Sequence, residues 1–161
     1  MYHGNPVLEY RLLKGKEIEA LYFYENIEIE QIIARRECEF FVKQGITYKQ
    51  TSSALEGSLF IIYVEEYEKG EILNVDQASS HSLKLEIREY APAQDHPILK
   101  VEYFQSHLDV FCVIGSVYTY IEDVEWERDS AEIDEDRRTY SLYVTKVTDN
   151  LSQKGVYHEK N

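Results

Sequence analysis

IEIEQIIARRECEFFVKQ, residues 27–44, is the stretch on which the fold turns, because it alone places its apolar residues at helical rather than strand spacing. Ile29, Ile32, Ile33, Phe40 and Phe41 recur on one helical face. Asn26 can cap the start, Glu28 and Glu30 favour the helix dipole in the first turn, and Gly45 follows the end. The pattern predicts one helix over 27–44, with Arg35, Arg36 and Lys43 giving it a partly basic side.

On both sides of this segment the period is two. VLEYRLL (7–13) and KEIEALYFY (16–24) flank Lys14-Gly15 as a hairpin, and ITYKQTSSA (46–54) and SLFIIYVEEY (58–67) flank Leu55-Glu56-Gly57. Lys69-Gly70 then turns the chain into EILNV (71–75). LKLEIREY (83–90) points Leu83, Leu85 and Ile87 inward, and APAQDHP makes a loop. ILKVEYFQ (98–105) leads through Ser106-His107 into LDVFCVIGSVYTYI (108–121), which is expected to be a central strand bent near Gly115; RTYSLYVTKV (138–147) closes the set.

With no second helix to carry a crossover, antiparallel pairing is expected. The expected fold is therefore α+β: one main helix packed on a large, bent, mostly antiparallel β-sheet. Residues 1–147 read as a single domain and 148–161 as a polar, fraying tail, with 68–82 the alternative place for a boundary. No internal repeat and no Pro-rich linker stands out.

Composition narrows the function classes. The chain has 161 residues, 43% of them hydrophobic and 14 of them Tyr, too apolar for a disordered acidic protein despite a net charge of -13. That charge weighs against direct binding to nucleic acid or to an anionic membrane surface. No apolar stretch approaches the roughly 20 residues of a bilayer span, and MYHGNPVLEY lacks the regions of a signal peptide, so a cytoplasmic protein is expected. Cys38 and Cys112 belong to no metal spacing and are expected to be buried free thiols.

Phosphate-cradling glycine loops, a nucleophile elbow and H-E-x-x-H are absent, so no cofactor, metal or catalytic residue is assigned and a non-enzyme is favoured. Ser79-Ser80-His81-Ser82 with Asp76 reads as a polar loop. His96 and His107 flank one strand and stand too far apart to share a zinc.

The remaining signal is EDVEWERDSAEIDED (122–136), in which only Arg128 opposes nine acids. One reading is edge protection of a strand; the one carried forward is an acidic interaction surface for a basic protein partner. Its residues are Glu122, Asp123, Glu125, Trp126, Glu127, Asp134, Glu135 and Asp136. The alternatives are a small-molecule-binding or enzymatic domain with a pocket between helix and sheet lined by Tyr22, Tyr24, Tyr63, Tyr103, Tyr118, Tyr120 and Tyr140, and imitation of a nucleic-acid surface. Exposed strand edges would also suit a homodimer.

Overall fold

The computed structural model describes residues 5–72 and 82–148. Among these, ten strands form one mixed sheet: β1 (Val7–Lys14), β2 (Glu17–Glu25), β3 (Phe40–Lys43), β4 (Ile46–Glu56), β5 (Leu59–Lys69), β6 (Leu83–Glu89), β7 (Ile98–Phe104), β8 (Tyr118–Ile121), β9 (Val124–Asp134) and β10 (Thr139–Lys146). Two short helices, α1 (Ile29–Glu37) and α2 (His107–Ile114), pack against each other and carry core residues on one face of the sheet. The expected single main helix on a mostly antiparallel sheet is thus corrected: the chain is predominantly β, and β1·β5, β6·β10 and β3·β9 pair in parallel.

Two local misreadings caused the error. The 27–44 segment is helical only to Glu37; Cys38 turns to extended backbone, and Phe40–Lys43 is β3. Adjacent Phe40 and Phe41 do not share a helical stripe, because Phe41 enters the core while Phe40 meets the tilted ring of Tyr67 away from it. Conversely, the apolar run Val110–Ile114 is not a central strand but the body of α2. Ser106 caps that helix by accepting from Asp109 N at 3.2 Å, and Gly115 ends it. Cys112 is consequently exposed on α2, whereas Cys38 is buried and burial raises its thiol pKa.

The sheet order is β2-β1-β5-β4-β3-β9-β10-β6-β7, with β8 also on β9. It resolves into two copies of one ββαβββ unit, β1–β5 with α1 and β6–β10 with α2, which overturns the absence of an internal repeat. In each unit a hairpin precedes the helix, a three-strand meander follows, and the last strand returns parallel to the first. Equivalence reaches single residues. The turns Gln44-Gly45 and Glu122-Asp123 both have positive φ at both positions. The bond from Gln50 N to Glu39 O recurs as Arg128 N to Val117 O. The β4–β5 bulge at Gln50/Ser52, opposite Val64 and Tyr63, recurs in β9–β10 at Arg128/Ser130, opposite Val144 and Tyr143.

The units join along the short parallel pair β3·β9, and side chains of the second unit reinforce this seam. Arg128 donates to Ile114 O at the end of α2, to Glu37 O at the end of α1 (2.8 Å) and to the Glu39 carboxylate. A cation there meets the negative ends of both helices. Its counterpart Gln50 donates from its side chain to Arg36 O at 3.0 Å. Where β4 and β5 turn through Gly57-Ser58, β9 and β10 are joined by the longer loop 135–138, and Glu135 and Asp136 of that loop reach into the first unit.

EILNV is not a strand at Glu71 and Ile72, and its remainder lies outside the described residues, as do Asp76, Ser79, Ser80, His81 and residues 149–161 of the tail. No described helix is long and apolar enough to cross a membrane.

Candidate binding site

The acidic stretch divides into three structural roles. Glu122 and Asp123 are the exposed tip of the β8–β9 hairpin. Trp126 is not on the surface: it is 8% exposed and sits in the core, where the first unit has Tyr48. The acids at the far end are engaged inside the protein. Asp134 is 6% exposed and pairs with Arg137 at 2.9 Å; Glu135 pairs with Arg35 at 2.6 Å and Lys43 at 2.9 Å. Asp136 accepts from Gln44 N and Gly45 N, both at 2.8 Å. Three neighbouring carboxylates therefore diverge to three different sets of partners. Among the described residues no group of three or more His, Cys, Asp or Glu is arranged to hold a metal.

A second consequence comes from the bulge. In a regular strand the odd-numbered acids Glu125 and Glu127 would face away from the even-numbered Glu132 and Asp134. The extra residue at Arg128/Asp129 reverses the parity, since Glu127 pairs with Thr145, Ser130 with Tyr143 and Glu132 with Ser141. All four acids thus share the helix-free face, while Trp126, Ala131 and Ile133 share the core face.

On the helix side a cleft of about 460 Å³ is lined by Gln31, Arg35, His107, Glu135 and Tyr140, among others. Its polar atoms are largely committed to one another. Gln31 Nε2 and His107 Nε2 lie 2.8 Å apart, His107 Nδ1 and Tyr140 Oη 2.8 Å apart, and Arg35 bonds Tyr10 Oη and Glu135. Burial lowers the His107 pKa, consistent with a neutral ring that accepts from Gln31 and donates to Tyr140. Although burial opposes it, Arg35 holds Glu135 below its ordinary range. The Arg35 guanidinium is enclosed by Tyr10, Tyr24 and Phe41, so its unpaired Nε is sealed from any ligand. Of the tyrosines expected in a pocket here, Tyr24 and Tyr140 are in this network and Tyr22 borders it, whereas Tyr63 lies on the outer face and Tyr103, Tyr118 and Tyr120 are exposed.

The opposite face offers free groups. A hollow of about 360 Å³ straddles the seam, walled by Phe40, Tyr67, Tyr90, His96 and Tyr143, with Glu132 among its lining residues. Ring centroids lie 5.1 Å apart for Phe40–Tyr67, 5.3 Å for Tyr90–His96 and 5.1 Å for His96–Tyr143. Glu132 makes no ion pair within the described residues. Burial first, then the neighbouring charge of Asp134, pushes it up to about 7 against the pull of Arg137 and Arg88. A second hollow of about 450 Å³ shares Thr47, Glu68 and Glu132 with the first and adds Glu71, Asp95 and Asp136.

Sequence reading marked the acids of this region but omitted Glu132, and it had no means of assembling the rings, which come from four separate segments. No family model, curated protein or solved structure matches the chain. The geometry and the repeat therefore carry the functional argument.

Proposed function

We propose that this is a binding protein, not an enzyme, which captures a basic segment of a partner on the helix-free face of its second unit. The observation that carries this reading is the β9 bulge, which puts Glu125, Glu127 and Glu132 on one face, with Glu132 lining an aromatic hollow and making no ion pair among the described residues. A carboxylate that is half-desolvated and uncompensated gains more from an incoming cation than one already paired. The net charge of -13 adds long-range attraction that speeds encounter and fades as salt screens it. The contact surface shifts from the hairpin tip and the 134–136 acids to the strand, because Asp134, Glu135 and Asp136 hold the fold.

The test is fluorescence anisotropy of a labelled lysine-rich peptide at low and high salt. Glu68, Glu71, Glu127 and Glu132 make no ion pairs among the described residues, so changing all four to Gln spares the internal network. The reading expects salt-sensitive binding that this variant loses; undiminished binding by the folded variant defeats it.

A further inference from the structure

We infer that the hollow around Glu132 is a receptor for a single alkylated ammonium group, such as a trimethylammonium head on an aliphatic chain. This deepens the reading above by naming what the basic ligand presents to the site.

The walls decide the class. Five rings surround the space, and a cation against ring faces is attracted by their quadrupoles, most strongly when it is poorly hydrated. An unmodified ammonium holds its water tightly and gives up hydrogen bonds when it meets a ring, so aromatic walls favour an alkylated cation over a bare one. Glu132 is left as the counter-charge within the ring walls, with Glu68 also lining the hollow. An alkylated nitrogen requires only charge and contact, and both are present.

The neighbouring cations do not compete for this position. Arg88 and Arg137 share the outer face, but Arg88 bonds Glu86 and His96 O, and Arg137 bonds Asp134 and Glu86. Tyr67 and Tyr90 stand 60% and 48% exposed at the rim, where a ligand's aliphatic chain would leave the site.

The repeat supplies an internal control. Glu132, Ser141 and Glu86 lie side by side across β9, β10 and β6, and the same row in the first unit is Ala54, Ile61 and Glu9. The carboxylate that would meet the ammonium therefore belongs to one unit and was not imposed by the fold they share.

The experiment uses the full chain, with choline and its neutral isostere 3,3-dimethylbutan-1-ol as probes, followed by calorimetry and the Tyr ring resonances in NMR spectra. Choline is expected to bind at least about tenfold more tightly than the alcohol and to shift the Tyr67, Tyr90 and Tyr143 rings. Tyr67→Ala and Tyr90→Ala, both at exposed rim positions, and Glu132→Gln should each weaken it. Equal affinity for the two probes, or saturation without movement of these rings, overturns the proposal.

A third arm compares a peptide carrying trimethyllysine with its unmodified twin. Tighter binding of the modified peptide supports the receptor and a peptide source for the ligand. Choline binding without binding of either peptide supports the receptor for a free small cation and removes the basic-segment reading. Preference for unmodified lysine overturns the ammonium receptor while leaving the acidic face standing.

Discussion

The two units place the same strands side by side and differ in what those strands carry. In the first, Glu9 pairs with Arg11, Ile61 is fully buried beside it, and Ala54 completes the row. In the second, Glu86 pairs with Arg88, Arg137 and Lys84, Ser141 lies beside it, and Glu132 completes the row without an ion pair among the described residues. Burial would raise the Glu86 pKa, but hydrogen bonds from Arg137 and Arg88 hold it down to about 2, while Glu132 is pushed up to about 7. Two carboxylates flanking one serine are thus tuned in opposite directions. Both units retain the Glu–Arg pair that the strand geometry supports, and the second adds a carboxylate that makes no ion pair among the described residues.

The largest test of the comparison removes Arg35, which occupies the place on α1 that Val113 occupies on α2. Its side chain is 5% exposed and holds Glu135 across the seam, so Arg35→Ala should destabilise by about 3 kcal/mol in urea unfolding because a half-buried carboxylate loses its closest cation. Val113→Ala, which removes only partly buried apolar atoms, should cost about 1 kcal/mol. Equal costs would show that the two helices are held in the same way.

Next is the helix-end clamp. Arg128→Ala should cost about 2 kcal/mol, since it frees two helix-terminal carbonyls and Glu39, whereas Gln50→Ala should cost about 1 kcal/mol or less. Similar losses at both positions would deny the second unit its special part in joining the halves.

The pH dependence follows from the opposed carboxylates. A carboxyl whose folded pKa is raised contributes stability below its unfolded pKa and loses it as pH rises through the folded value; for Glu132 the window runs from about 4.5 to about 7. Glu132→Gln should therefore flatten the stability profile across that window and raise stability at pH 8. Glu86 has the reverse sign, contributing stability above about 4.5 that disappears as pH falls toward 2. Thermal unfolding at a series of pH values reads both.

The smallest effect is at the paired turns. Gly45 has φ +76, and a Cβ there would lie 2.9 Å from Gly70 O, so Gly45→Asp should destabilise by about 1–2 kcal/mol. Asp123 accepts a similar conformation at φ 64 without being glycine, and Asp123→Gly should stabilise by up to about 1 kcal/mol.

Much of the sheet could be read from residue patterning, because β1, β6 and β10 alternate cleanly between core and outer face. The repeat was also written in residues: Leu8-Glu9-Tyr10-Arg11 recurs as Leu85-Glu86-Ile87-Arg88, and Ile62-Tyr63-Val64 as Leu142-Tyr143-Val144. So few shared positions do not stand out until strand pairing shows that they correspond. Helix α2 was misread because a short apolar run fits a buried strand as well as a helix; the deciding signal was Ser106 three residues before Asp109. Period alone could not end α1 at Glu37 either, since aromatic residues after it kept a helical rhythm while entering a strand. Glu132 escaped notice for a geometric reason. The bulge that turns it toward Glu125 and Glu127 is a property of the paired strands, and its aromatic neighbours arrive from distant parts of the chain.

Selective carbon labelling of glutamate carboxyls, with Glu132→Gln to assign the resonance, gives the most direct reading of the site. In the free protein Glu132 should titrate near 7, and saturation with choline or a trimethyllysine peptide should bring its pKa down, because a bound cation favours the ionised form. A Glu132 that titrates like an ordinary glutamate when free, or whose titration is unchanged by the bound cation, would contradict the account.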